Sequence, residues 1–213
     1  MYKINWEELE RGLWQTRGGD RKTALTIGVF DGFHRGHRVL ITKIVEKAPA
    51  LLPGVVTFRE NPKKYSFLRQ EAQPADSPDF AGPSSADNPF EDIIGFDEKM
   101  TLLSQSGVAF CVIIDFSENF SKIDGGSFIE ALYRYLDPAY IAVGANFHCG
   151  YRQDTDALRF KVLAEGMGIS AEIVKPVVEG GIPVSSSRIR AALRAGRYHE
   201  AELLLGRPLG KNR

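Results

Sequence analysis

Short apolar runs alternate with amphipathic stretches along most of this chain. The run Thr23–Ile27 is apolar enough for a buried β-strand, and the residues after it repeat their apolar positions at helical spacing. Four further strands are predicted at Gly54–Phe58, Ala109–Phe116, Tyr140–Val143 and Ala171–Lys175. Helices are predicted at Gly36–Lys47, Asp97–Ser106, Gly126–Leu136, Asp154–Gly166, Ser186–Ala195 and Tyr198–Leu205. The alternation predicts an α/β fold, a parallel sheet with helices on both faces.

One segment, residues 70–90, breaks this pattern. It contains Pro74, Pro78, Pro83 and Pro89 among small and polar residues, and it has no periodicity. We therefore expect one domain over residues 1–213 with a mobile or disordered insertion at 70–90. Two interpretations of the insertion stay open, a lid over a site and a tolerated surface loop.

Composition excludes several classes of protein. The 27 Lys and Arg residues balance 27 Asp and Glu residues, so the net charge is zero and a nucleic-acid partner is not expected. No apolar run approaches the roughly 20 residues that cross a bilayer, and the N-terminus has no signal-peptide core, so we predict a cytoplasmic protein. In a reducing compartment Cys111 and Cys149 are expected to stay free. The oligomeric state is left open.

The segment Gly28–His37 carries the clearest chemistry. It has the sequence GVFDGFHRGH and lies between the first predicted strand and its helix. Glycines at such a turn let a ligand approach the backbone, and the helix N-terminus beyond it attracts anions. His34 and His37 are three residues apart, so both imidazoles can donate to phosphate oxygens.

These residues resemble the His-x-Gly-His signature of the nucleotidylyltransferase superfamily. With Gly28, Phe30 and Asp31 in the preceding Gly-x-Phe-Asp-Gly, the segment is similar to the bacterial FAD synthetase (FMN adenylyltransferase) family in particular. The resemblance implies a Rossmann-like nucleotidylyltransferase fold. It also implies that Gly28, Phe30, Asp31 and Gly36 contribute to nucleotide binding.

Three further motifs support the resemblance, which covers residues 22–209. The segment VSSSRIR at 184–190 resembles the family's Ile-Ser-Ser-Thr-x-Ile-Arg, a helix start that clamps the ATP phosphates. The segments TFRENP at 57–62 and VGANFHCG at 143–150 resemble motifs on the flavin side. The residues that the resemblance assigns to substrate binding are Ser186, Ser187, Arg188, Phe58, Asn61, Phe147 and Arg152.

The chain also departs from the family pattern. Asn61 stands where the family has His, Ala145 loses an acid, Cys149 replaces an aromatic residue and Arg197 replaces Asp. Family members commonly continue into a riboflavin kinase module after the Leu-Gly-Arg-Pro segment, and we expect that module to be absent here.

The resemblance implies that AMP passes from ATP to FMN, giving FAD and pyrophosphate. His34, His37, Asn146 and Arg190 are the expected catalytic residues, and Mg²⁺ is expected to arrive with the nucleotide, without a dedicated protein metal site. Two alternatives remain. One is a nucleotidylyltransferase with a different acceptor, and the other is a non-catalytic flavin- or nucleotide-binding protein.

Overall fold

A computed structural model describes residues 1–14, 21–71 and 90–209. Six strands form one parallel sheet in the order β1-β4-β3-β2-β5-β8, and two short antiparallel pairs, β6 with β7 and β9 with β10, lie outside it. The strands are β1 (Tyr2–Asn5), β2 (Thr23–Ile27), β3 (Leu52–Phe58), β4 (Phe110–Ile114), β5 (Pro138–Gly144), β6 (His148–Cys149), β7 (Thr155–Asp156), β8 (Ser170–Val174), β9 (Val178–Glu179) and β10 (Ile182–Pro183). The predicted parallel sheet is confirmed.

Helices cover both faces of the sheet, as predicted. They are α1 (Trp6–Glu10), α2 (Arg35–Val45), α3 (Pro62–Glu71), α4 (Phe96–Gln105), α5 (Gly125–Leu136), α6 (Ala157–Gly166), α7 (Ser186–Arg194) and α8 (Tyr198–Leu205). Short 3₁₀ turns lie at Asp31–Phe33, Phe120–Lys122 and Tyr151–Gln153.

The sheet separates two hydrophobic cores. One contains Ile44 of α2, Leu103 of α4 and Ile189 of α7. The other contains Leu132 of α5 and Phe160 of α6. Neighbouring strand residues alternate between the two cores, because successive side chains of a strand point to opposite faces.

Several boundaries differ from the predictions for local reasons. Helix α6 begins at Ala157 rather than Asp154, because Thr155 and Asp156 first pair with β6 and the Asp156 carboxylate then caps the helix at Arg159 N–H, 2.8 Å away. Strand β1 and helices α1 and α3 were not predicted. In β1 only Ile4 is fully buried, so four residues gave too weak an apolar pattern.

Other predictions have mixed outcomes. Residues 72–89 of the predicted insertion lie outside the described residues, while 70 and 71 end α3. Cys111 and Cys149 are free thiols, as expected. No helix within the described ranges is long and apolar enough to cross a membrane.

Candidate active site

The link from β2 to α2 is a tight turn, Gly28–His37, hereafter the histidine turn. Gly28 N–H donates to Val56 O (3.1 Å) and so continues the ladder between β2 and β3. The backbone then enters the left-handed region at Phe30 (φ 54°) and Phe33 (φ 44°), a conformation that costs energy for residues with side chains. Such strain is concentrated at functional sites, because the surrounding structure has to hold it in place.

Two stacked histidines lie at the end of this turn. The centroids of the His34 and His37 rings are 3.6 Å apart and the rings are nearly parallel. His34 is the N-cap of α2, and its Nδ1 accepts the backbone N–H of His37 at 3.3 Å. In a neutral His34 ring the proton is therefore on Nε2, which makes that atom a donor.

Both imidazoles are kept neutral by their surroundings. Burial lowers the pKa of His34 to about 4, and burial together with His34 lowers the pKa of His37 well below its ordinary value. Among the described residues, no hydrogen-bond partner reaches the buried Nδ1 of His37. A buried polar atom without a partner carries a cost in free energy.

The histidines face a large cleft of about 1070 Å³. Gly36 lies beside them, and a Cβ there would come within 3.2 Å of the His34 ring. The described residues that line the cleft include no acidic side chain but include Lys63, Arg152 and Lys175. Together with the N-terminus of α2, these residues favour an anionic ligand.

A cluster of aromatic side chains, hereafter the aromatic wall, also lines the cleft. Its members are Phe58, Tyr65, Phe116 and Phe120, whose neighbouring ring centroids are 5.4–6.2 Å apart at steep angles. Asn61 is buried next to the wall, where its Oδ1 caps α3 at Lys63 N–H (3.1 Å). A flat apolar ligand fits such a surface.

Sequence reasoning assigned only Phe58 of this wall. Phe116 follows β4, and Phe120 lies four residues further on in a stretch without periodicity. The position of Phe116 just after a strand could have indicated this role, because side chains that follow parallel strands gather at one edge of the sheet.

A loop from Asn146 to Arg152 forms the third side of the cleft. Asn146 and Arg152 are exposed and line the cleft, and Phe147 packs edge-on against Phe160 with centroids 5.1 Å apart. Burial raises the pKa of the Cys149 thiol to about 12, so it is a poor nucleophile. His148 also lines the cleft, and it was not among the residues predicted to bind substrate.

One glycine fixes the shape of this loop. Gly150 has φ +83°, and a Cβ there would collide with Asp154 Oδ1 and with the backbone nitrogen of Gly125. The same Asp154 oxygen accepts Gly125 N–H (3.1 Å) and Thr155 Oγ1 (2.8 Å). The loop is therefore fastened to the start of α5.

Asp31 of the histidine turn and Arg190 of α7 form a buried ion pair. Asp31 Oδ1 also accepts Ile93 N–H (2.8 Å), and Arg190 Nε donates to Glu91 O (2.7 Å). Burial raises the pKa of Asp31, and the nearby Arg190 guanidinium opposes that rise.

Two of the residues predicted in the 184–190 motif, Ser186 and Arg188, make different kinds of contact. Ser186 lines the cleft and donates through Oγ to Asp31 O (2.9 Å). Arg188 donates to Glu179 O (2.9 Å) and Ile182 O (3.0 Å), so it holds the β9–β10 hairpin.

Of the residues predicted from the sequence, the structure brings most to one cleft. Its lining includes Gly28, His34, Gly36, His37, Phe58, Asn61, Asn146, Phe147, Arg152 and Ser186. Five others lie outside that lining, namely the core residue Phe30, the paired Asp31 and Arg190, the exposed Ser187 and the hairpin-bound Arg188. In this arrangement both arginines of the motif are engaged by protein oxygens.

Known proteins with similar sequences include a bifunctional riboflavin kinase/FMN adenylyltransferase of Escherichia coli (strain K12). It is 28% identical over 185 residues, which are 86% of this chain and 54% of that protein. An FAD synthetase of Listeria monocytogenes is 26% identical over 193 residues, 88% of this chain and 70% of that protein. The chain thus spans little more than half the length of the E. coli relative.

Solved structures show the same fold. A protein described as a macrolide-efflux protein from Streptococcus pneumoniae superimposes with a TM-score of 0.77 at 26% identity, over 98% of this chain and 63% of that one. A pantoate-beta-alanine ligase from Francisella tularensis gives 0.52 at 12% identity, over 96% of this chain and 86% of that one. This second likeness supports a shared fold and nothing more.

A sequence model of the family described as FAD synthetase matches residues 17–188, which is most of the chain and includes both histidines and most of the 184–190 motif. This chain belongs to the FAD synthetase family.

Proposed function

We propose that this protein transfers the adenylyl group of ATP to FMN. An oxygen of the FMN phosphate attacks the α-phosphorus of ATP, the bond from that phosphorus to the bridging oxygen breaks, and its electron pair leaves with pyrophosphate. The observation that carries the proposal is the pair of stacked, neutral histidines at the start of α2, which faces the aromatic wall across one cleft. Relatives of this chain are named for the same reaction.

On the nucleotide side, His34 Nε2–H and His37 donate to the α- and β-phosphates, together with the first N–H groups of α2 near Gly36. Ser186 meets the departing pyrophosphate from the start of α7. Arg190 assists at the same pyrophosphate. In the structure it pairs with Asp31, whose backbone carbonyl accepts the Ser186 hydroxyl.

On the flavin side, the isoalloxazine ring lies against the aromatic wall near Phe58 and Asn61. Phe147 supplies apolar surface, and Arg152 is the cation placed to meet the FMN phosphate. Asn146 orients FMN or a water bound to Mg²⁺, because its side chain offers both a donor and an acceptor.

The reaction needs neither a protein nucleophile nor a general base. A phosphate monoester has its second pKa at about 6, so the attacking oxygen is already ionised at neutral pH. Catalysis then rests on holding the two substrates in line and on donors aimed at the growing charge. Mg²⁺ enters with ATP, held by phosphate oxygens and water, and it offsets negative charge on the phosphates.

The testing experiment measures pyrophosphate release from ATP and Mg²⁺ with FMN, riboflavin or nicotinamide mononucleotide offered separately. We expect release with FMN only, with FAD appearing at the same rate. Release with another acceptor would contradict the flavin assignment. FMN binding without release would favour a non-catalytic flavin-binding protein.

We also propose that the protein works in the cytoplasm. Its two free cysteines, one buried in β4 and one beside the cleft, suit a reducing compartment.

A further inference from the structure

Lys99 of α4 is a buried lysine that the proposed reaction does not use. Its side chain is only 5% exposed, which is rare for lysine, because the ammonium loses its hydration. Its Nζ donates to the backbone carbonyls of Phe58 at 2.6 Å and of Val29 at 3.2 Å. Because both carbonyls belong to the backbone, these two hydrogen bonds hold the Lys99 ammonium at a defined position.

The two carbonyls belong to the histidine turn and to the aromatic wall, at the ends of the neighbouring strands β2 and β3. Val29 lies in the histidine turn, directly before the strained Phe30. Phe58 ends β3 and is part of the aromatic wall. Val29 O also accepts Thr57 Oγ1 at 3.1 Å, so the turn is held from β3 as well. Lys99 therefore connects the two sides through a single atom.

The charge of Lys99 acts on His37. Burial lowers the pKa of Lys99, whereas the carboxylates of Asp31 and Asp92 favour its charged form. In turn, the positive charge of Lys99 contributes to the lowered pKa of His37, after burial and His34. A polar cavity of about 170 Å³ lies next to Lys99 and borders Asp31 and Asn61. This cavity leaves room for a larger cation at position 99.

We propose that Lys99 is a positioning residue that fixes the distance between the histidine turn and the aromatic wall. The proposal rests on the proposed function, in which these two sides hold the two substrates. Each side keeps its own contacts without the lysine, so each substrate still binds. What is lost is the alignment of the FMN phosphate oxygen with the α-phosphorus, and small displacements of reacting groups are expensive in rate.

The test compares Lys99→Met and Lys99→Arg with the wild type. Met has a similar length but no charge and no donor. We expect Lys99→Met to lower kcat by about 10², while the KM values for ATP and FMN change by less than about threefold. Lys99→Arg keeps charge and donors and uses the adjacent cavity, so kcat should return to within about tenfold of the wild type.

The matched control is Lys43→Met, which removes a half-exposed lysine paired with Glu172 near the other end of α2. Circular dichroism at the assay temperature confirms that the rates refer to folded protein. An unchanged kcat in Lys99→Met would overturn the proposal, and so would a loss confined to the two KM values.

A second readout separates this proposal from the proposed function. If the wild type releases no pyrophosphate with any acceptor, the proposed function fails. The imidazole NMR signals of ¹⁵N-labelled His37 then still report on Lys99 in the resting protein. We expect them to move in Lys99→Met but not in Lys43→Met. Unmoved His37 signals would refute the connection.

Discussion

The histidine turn and the aromatic wall face each other but are built in different ways. The turn is one continuous segment in which strained backbone, a helix N-terminus and two imidazoles follow each other within ten residues. The wall is made of side chains that come from β3, from α3 and from the chain after β4. The turn therefore depends on local spacing, whereas the wall depends on the fold around it.

This difference indicates where substitutions are tolerated. Within the turn a single residue can have several structural roles. His34, for example, both caps α2 and stacks on His37. Within the wall Phe58, Phe116 and Phe120 contact one another, so the loss of one leaves the other two in contact. The departures from the family pattern at Asn61, Ala145 and Cys149 all lie away from the histidine turn. We therefore expect larger effects from changes in the turn than from changes in the wall.

The largest expected effect is from His37→Ala. Loss of one preorganised donor to the reacting phosphates typically lowers the rate by about 10²–10³. FMN affinity should remain within about twofold, because the wall is untouched. Initial rates of pyrophosphate release and a flavin fluorescence titration measure the two effects. His199→Ala, an exposed residue of α8, is the control, and a wild-type kcat in His37→Ala would refute the catalytic assignment.

The second prediction concerns the histidine turn and the pH dependence of the free energy of unfolding that buried His34 causes. The unfolded chain binds a proton to His34 below a pKa of 6.5, whereas the folded protein does so only below about 4. Between these values the unfolded state holds more protons, so the free energy of unfolding falls as the pH falls, by about 1.4 kcal/mol per pH unit for this group. Urea unfolding at pH 6.5 and 5.0 measures the difference.

Between pH 6.5 and 5.0, the free energy of unfolding of His34→Gln should fall by about 2 kcal/mol less than that of the wild type. His199→Gln should leave the loss as in the wild type, because His199 is exposed. Equal pH dependence in the wild type and His34→Gln would contradict the buried, neutral imidazole.

The third prediction tests the loop that joins the wall. Gly150→Ala adds a Cβ against Asp154 and Gly125 and imposes a positive φ on a residue with a side chain. We expect FMN to bind about tenfold more weakly, equivalent to about 1.4 kcal/mol, with ATP affinity little changed. Isothermal titration of each substrate provides the values.

The control for this substitution is Gly168→Ala. Gly168 has a similar φ of +80°, but nothing lies within 4 Å of its Cβ position. Gly168→Ala therefore has the same cost of a positive φ but no collision, so FMN affinity should be unaffected. Equal losses in the two variants would mean that the shape of the loop does not control FMN binding.

The smallest expected effect is from Phe116→Leu in the wall. One aromatic pair contributes about 0.5–1.5 kcal/mol beyond its buried area, so FMN affinity should fall only about two- to tenfold. Quenching of flavin fluorescence measures it. Tyr133→Leu, an exposed aromatic residue of α5, serves as the control. A fall in FMN affinity of about 10² or more, as large as the fall in rate expected for His37→Ala, would break the contrast between the two sides.

The sequence predicted what depends on neighbours along the chain. The strand, turn and helix around His34 and His37 follow from periodicity and spacing, and the structure confirms their order. Long-range partners were not predictable in this way. The pairing of Arg190 with Asp31 joins residues 159 positions apart, and no local pattern announces it. Phe116 ends an apolar run that predicts only a strand, Phe120 lies in a stretch without periodicity, and only the closed fold brings them to Phe58.

The position of β1 at the edge of the sheet bears on how the chain folds as it is made. Tyr2 pairs with Phe110, so β1 precedes its partner strand β4 by about a hundred residues along the chain. The central strands β2 and β3 are consecutive, and the later strands β4, β5 and β8 add outward from them on both sides. We expect chains arrested before β4 to leave β1 open to proteases, and chains arrested well after it to protect it. Strand β1 is thus made before β4 but becomes secure in the sheet only after β4 has been made.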